Sequence, residues 1–203
     1  MIEVLVVDLG GVAARFTPQR WLNALALATG LASGEIHRRV WESGFETRAE
    51  LGAFDRETTI AGLTRLLDWR DDVDALIGCW AQAFKPDRAV MRALLKSSAR
   101  KALFTNNGPM IDACLDGPLA GLRRIFDATI CSWQVGARKP AEAAFDRAVT
   151  RLRTAPARLR LLDDDPSNVI SARRRVWKAA CTSGASHVIE ALARFDILKR
   201  GQR

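Results

Sequence analysis

Apolar and polar positions follow two different periods along this chain. Val4-Leu5-Val6-Val7 is an unbroken apolar run that stops at Asp8 and continues Leu9-Gly10-Gly11-Val12. A short β-rich run with no polar interruption predicts a strand buried on both faces, as in the centre of a parallel sheet. Comparable short runs recur at Lys101–Phe104, Phe126–Cys131, Leu159–Leu162 and Val176–Cys181. Between them the apolar residues take helical spacing, over about Asp87–Ser97, Met110–Gly121, Ala141–Arg151 and Val169–Arg175. From Arg15 to about Phe84 no strand pattern is visible. That stretch predicts four helices, opened in turn by Thr17-Pro18, Ser33-Gly34-Glu35, Asp55-Arg56-Glu57 and Asp71-Asp72. Phe45–Leu51 reads as a polar turn region, and Lys85-Pro86-Asp87 as the break that ends the block. Alternating strands and helices predict an α/β fold, a Rossmann-like doubly wound parallel sheet with right-handed crossovers. The expected division is a core from residues 1–14 and 87–203, with an inserted α-helical cap at residues 15–86. Trp41 and Phe45 read as interior of that cap.

Composition narrows the class without naming a function. The 203 residues suffice for one full core plus an insertion, and 48% hydrophobic content is ordinary for a globular chain. The four cysteines (Cys79, Cys114, Cys131, Cys181) are scattered, with no Cys-x-x-Cys pair, which argues against a zinc site and for reduced thiols. No basic segment precedes the first apolar run, and no stretch reaches the length of a membrane span. The expectation is therefore a cytoplasmic protein, with no membrane partner, that is a monomer or homodimer. The net charge of +8 would suit a nucleic acid, but the arginines are spread out rather than massed, apart from Arg173-Arg174-Arg175 and the Lys199-Arg200 tail. No nucleic-acid partner is expected, and the same field suits a small anionic substrate.

The candidate chemistry sits where strands end. Asp8, Thr105, Lys139 and the pair Asp163-Asp164 each close an apolar run or adjoin one. Singly, each reads as a turn or cap residue. In a parallel sheet these ends share one edge, the edge where open α/β sheets bind ligands. Together they offer a nucleophilic carboxylate, two further carboxylates, a hydroxyl and an ammonium. Clustered acids suit Mg²⁺, and lysine with hydroxyl suits phosphoryl oxygens, so the set points to phosphoryl transfer.

These residues resemble the haloacid dehalogenase-like (HAD) hydrolase superfamily over nearly the whole chain. Val4–Val12 resembles its first motif, Phe104-Thr105-Asn106-Asn107 the second, Arg138-Lys139-Pro140 the third, and Leu162-Asp163-Asp164 with Asn168 the fourth. Receiver domains also combine acids, Thr and Lys, but they carry the acidic pair on the first strand, and here it comes last. The resemblance implies a Mg²⁺-dependent phosphatase of a small phosphorylated metabolite. Asp8 would form an aspartyl-phosphate. Asp8, the backbone carbonyl of Gly10, Asp164 and Asp163 would hold the metal. Thr105 and Lys139 would bind phosphoryl oxygens and take part in catalysis, helped by backbone N–H groups near Gly11 and Asn106. Dehalogenase chemistry fits less well, because family dehalogenases replace the metal-binding acids that Asp163 and Asp164 supply here.

Two departures from the family pattern stand out. Family phosphatases usually place an aspartate two residues after the nucleophile as general acid and base, a group worth about 10²–10⁴-fold. Here that residue is Gly10. A cap residue such as Glu46 or His37 would then have to supply the proton, or the leaving group would have to need none. The alternative is a protein that binds a phosphorylated ligand or a partner without turnover. The second departure is Val176, where related chains often have Gly before Trp177, with an expected effect on packing rather than chemistry. Arg15, just after the first motif, is a candidate contact for an anion.

Overall fold

The computed structural model describes residues 3–198. The predicted central strand is β1 (Val4–Val7), and all four of its side chains are buried. Two short strands follow the flanking turn and the helical block: β2 (Ala14–Phe16) and β3 (Phe84–Pro86) pair antiparallel, Arg15 opposite Lys85. This ribbon was not expected. Each strand is only three residues long, too short to show a period, and each exists because the other is there to accept its hydrogen bonds. It ties the two ends of the block together.

Within the block lie α1 (Pro18–Thr29), α2 (Ser33–His37), which runs on as a π-helical turn over Arg38–Glu42, α3 (Phe45–Glu50), α4 (Arg56–Leu66) and α5 (Val73–Ala81). Asp55 and Asp72 cap α4 and α5 through their carboxylates, and Pro18 stands at the start of α1, as the sequence predicts. Thr17 occupies the cap position of α1 without a side-chain bond, and Ala32, not Ser33, precedes α2. The stretch expected as a turn, Phe45–Leu51, is instead helix α3 with a left-handed Gly44 before it. Its polar residues Glu46 and Glu50 face inward, so the apolar period is absent from the sequence. Trp41 stacks on both Trp21 and Trp80 and packs, partly buried, against the core, and the buried Phe45 stacks on Phe54, in line with an interior role for both.

The remaining chain alternates: α6 (Arg88–Leu94), β4 (Arg100–Thr105), α7 (Met110–Asp116), α8 (Ala120–Arg123), β5 (Ala128–Cys131), α9 (Ser132–Val135), α10 (Glu142–Leu152), β6 (Leu159–Asp163), α11 (Pro166–Arg174), β7 (Lys178–Cys181) and α12 (Gly184–Arg194). The single helix expected over Met110–Gly121 breaks at Gly117-Pro118, and α9 and α12 were not anticipated. The sheet is parallel with order β5-β4-β1-β6-β7. Leu5, Val7, Leu103 and Leu162 face one side with residues of α6, α7 and α12. Val4, Val6, Phe104 and Leu161 face the other with Phe145 of α10 and Val169 of α11. The doubly wound reading holds.

Val176 has φ +68° and is 68% exposed. The departure noted in the sequence therefore acts on the backbone, not on packing. A β-branched residue in the left-handed region is strained by about 1–2 kcal/mol, part of which glycine's extra chain entropy offsets. Val176→Gly is expected to raise stability by about 1 kcal/mol, read as a higher urea midpoint at unchanged slope.

No helix among the described residues is long and apolar enough to cross a membrane. The basic pair Lys199-Arg200 lies outside the described residues.

Candidate active site

Asp8 leaves the end of β1 with its N–H bonded to Leu162 O at 2.9 Å. Val7 stands opposite both Leu103 and Leu162, so Asp8, Phe104 and Asp163 arrive level at the same sheet edge. After Asp8 the chain turns tightly: Ala14 N–H bonds Leu9 O at 2.8 Å and Gly11 N–H bonds Ala14 O at 2.8 Å. Neither bond uses the N–H or C=O of Gly10. Gly11 has φ +84°, and a Cβ there would lie 2.0 Å from Asp164 Oδ2. Only glycine lets this turn pass beneath the Asp164 carboxylate. Its own N–H is bonded to Ala14 O, and the residue contributes the close approach.

Lys139 is the hub of the site. Its Nζ donates to Asp8 Oδ1 at 2.8 Å, to Asp163 Oδ2 at 2.6 Å and to Phe104 O at 2.9 Å, and it lies over the Phe104 ring. All three ammonium protons are therefore engaged. Asn106 explains how the lysine is aimed. Its side-chain amide donates to Lys139 O and accepts from Lys139 N–H, both at 2.8 Å, so the backbone of Lys139 is clamped across the sheet edge. Asp163, fully buried, also accepts from Asn168 Nδ2 at 2.9 Å and Asp165 N–H at 3.0 Å. Thr105 is buried beside them, and its hydroxyl accepts from Asn107 Nδ2 at 2.6 Å.

Oxygen atoms of Asp8, Asp163 and Asp164 all lie within 4.8 Å of one another. The three acids expected to converge do so. Burial pushes the Asp8 carboxyl up to about 6; Lys139 opposes this, while Asp163 and Asp164 reinforce it. Burial alone would lower the Lys139 ammonium, but Asp8 and Asp163 outweigh it and hold the group above its usual range. Burial and then Asp163 also raise Asp164. One ammonium among three carboxylates leaves the cluster short of positive charge. A set of carboxylate oxygens in excess of its cations, with a glycine cradle under one of them, fits a hard divalent cation.

A cavity of about 420 Å³ opens over this cluster. Asp8, Gly10, Thr105, Asn106, Lys139 and Asp164 line it, so six of the sequence-predicted residues meet there. The helical block lines it too, through Phe16, Trp21, Glu50 and Phe84. Arg138 joins Glu50 across the cavity, Nε to Oε2 at 2.9 Å. Glu50 and the aromatic residues carried no signal in the sequence; only the spacing of Glu50 four residues after Glu46 hinted at a shared helix face. Arg15 does not line the cavity. It is exposed on the ribbon, 3.9 Å from Asp87.

The haloacid dehalogenase-like hydrolase family model matches residues 2–174. Solved structures with the same fold include a predicted HAD-like family hydrolase from Porphyromonas gingivalis, at 22% identity and TM-score 0.74, covering 96% of this chain and 98% of that one. A HAD family enzyme from Bacteroides thetaiotaomicron, in complex with magnesium and inorganic phosphate, superposes with TM-score 0.67 at 16% identity, covering 91% and 96%. L-2-haloacid dehalogenase from Xanthobacter autotrophicus, with chloropropionic acid covalently bound, gives TM-score 0.58 at 23% identity over 96% and 82%. No curated protein matches the chain. With four motifs converging on one sheet edge and the family model spanning most of its length, this chain belongs to the haloacid dehalogenase-like hydrolase family.

Proposed function

We propose that this protein is a Mg²⁺-dependent phosphatase of a small phosphorylated metabolite, working through an aspartyl-phosphate on Asp8. The observation that carries the reading is the convergence of Asp8, Asp163 and Asp164 around Lys139. Asp8, Asp164, Asp163 and the Gly10 carbonyl would hold the ion, which when bound neutralises charge on the phosphoryl oxygens. Asp163 is the most committed of these, since it already accepts from Lys139, Asn168 and Asp165. Lys139 holds one Asp8 oxygen, Oδ1, and so fixes the direction of the other toward phosphorus. Thr105 and the backbone near Asn106 would meet the phosphoryl oxygens. Residues 15–86 act as a cap whose inner wall, Phe16, Trp21, Glu50 and Phe84, surrounds the leaving group. The Bacteroides neighbour with bound magnesium and phosphate supports phosphate chemistry on this fold. The Xanthobacter dehalogenase shows that the fold also serves another reaction, and the paired acids Asp163-Asp164 favour a metal and hence phosphate.

Purified protein with Mg²⁺ and a panel of phosphate esters is expected to release phosphate and to carry a hydroxylamine-labile phosphoryl group on Asp8, found by peptide mass. EDTA should stop both. Silence across the panel, together with retained affinity for phosphorylated ligands, would favour the binding-only reading that Gly10 raises.

A further inference from the structure

The first motif lacks its usual acid, and the cap side of the cavity offers one. Four carboxyl groups line the cavity: Asp8, Glu50, Asp164 and Asp165. Asp8 and Asp164 belong to the charge cluster around Lys139. Asp165 caps α11, accepting from Ser167 N–H, which holds its carboxyl below the usual range and keeps it ionised. Glu50 alone has no part in either arrangement, and it enters from α3, opposite the sheet edge. The cap residues that the sequence suggested are elsewhere. His37 is half exposed, paired with Glu42 and stacked on Trp41. Glu46 is buried on the α3 face toward Gly108 and does not open to the cavity.

Resting on the phosphatase reading above, we propose that Glu50 is the general acid and base of this site, replacing the carboxyl absent at position 10. Its Oε2 is held by Arg138, which orients the group and leaves Oε1 for the proton. Burial holds the Glu50 carboxyl above its ordinary range, with Arg138 opposing. Its helix neighbour Glu46, one turn away, is pushed up to about 8 by burial and then by Glu50, so it stays neutral near pH 7. Its Oε2 has no hydrogen-bond partner. A neutral Glu46 beneath the cavity wall spares Glu50 a buried like charge.

The chemistry balances in two steps. An Asp8 oxygen attacks phosphorus, the P–O bond to the leaving group breaks, and its electron pair goes to the leaving oxygen, which takes the proton of Glu50 and departs as the alcohol. Water then attacks the phosphorus of the aspartyl-phosphate while giving a proton to the Glu50 carboxylate. The P–O bond to Asp8 breaks, and Asp8, inorganic phosphate and protonated Glu50 are restored.

The test is a leaving-group split. 4-Nitrophenolate departs without a proton, whereas the alkoxide of glycerol 3-phosphate does not. With Mg²⁺ present, Glu50→Gln is expected to lower kcat/KM on glycerol 3-phosphate by about 100-fold or more, and on 4-nitrophenyl phosphate by about threefold or less. Arg138→Gln removes the group that orients Glu50 but keeps the carboxyl, so it should give a split in the same direction and smaller. Equal losses in Glu50→Gln on both esters, or no loss on either, would overturn the assignment of Glu50 while leaving the phosphatase reading intact. A wild-type protein inactive across the whole panel of phosphate esters would remove the phosphatase reading and this proposal together.

Discussion

Asp8→Asn is expected to abolish phosphate release and, in the absence of metal, to make the protein more stable. Both effects follow from one burial. The carboxylate must be ionised to attack phosphorus, yet its site raises it to about 6 from an ordinary 3.8. A carboxyl raised on folding contributes stability that is complete below the unfolded value and is lost as pH rises through the folded one. The wild-type protein therefore loses stability between about pH 4 and pH 6, and asparagine, which mimics the protonated form, does not. Urea unfolding in EDTA should show almost no gain for the variant at pH 3.5 and a gain of about 3 kcal/mol at pH 8. Mg²⁺ should stabilise the wild type and leave the variant unmoved. A gain independent of pH would contradict the electrostatic account.

Lys139→Met is expected to have the largest stability effect of any single change at the site. The lysine is 1% exposed at its side chain and joins two buried carboxylates, Asp8 and Asp163, and the Phe104 carbonyl. Methionine fills a similar volume and satisfies none of them. Removing the cation from a buried ion pair is destabilising by about 3–5 kcal/mol. The deficit should shrink as pH falls, because Asp8, raised further without its ammonium, takes up a proton. Phosphate release should fall by about 10³-fold, since the variant lacks both the charge at the phosphoryl group and the bond that orients Asp8. Urea midpoints from pH 5 to pH 8 check the first part, and a malachite-green phosphate assay the second. A deficit that grows toward low pH would rule out the proposed cause.

The two variants move stability in opposite directions while both remove activity. That pattern belongs to a site built with a surplus of negative charge, and it separates function from fold. Glu50 and Glu46 extend the same theme into the cap, where burial raises two further carboxyls.

The sheet and the chemical inventory were legible in the sequence. A central parallel strand must be apolar on both faces, so Val4–Val7 and Leu159–Leu162 announce themselves, and the residue where each run stops lands on the ligand-binding edge. Asp8, Thr105, Asp163 and Asp164 were found that way, because their spacing reflects strand length rather than long-range packing, and Lys139 was found in the turn before the next helix. The tertiary structure decided what depends on distant partners. The β2–β3 ribbon joins residues about 70 apart, and neither strand has a pattern of its own. Helix α3 hides its inward acids from any search for apolar periodicity. Gly11 proved to make room for Asp164, a contact between loops at opposite ends of the chain. The pairing of Glu50 with Arg138 across the cavity is likewise invisible along the chain, because burial and charge proximity are properties of three dimensions and not of order.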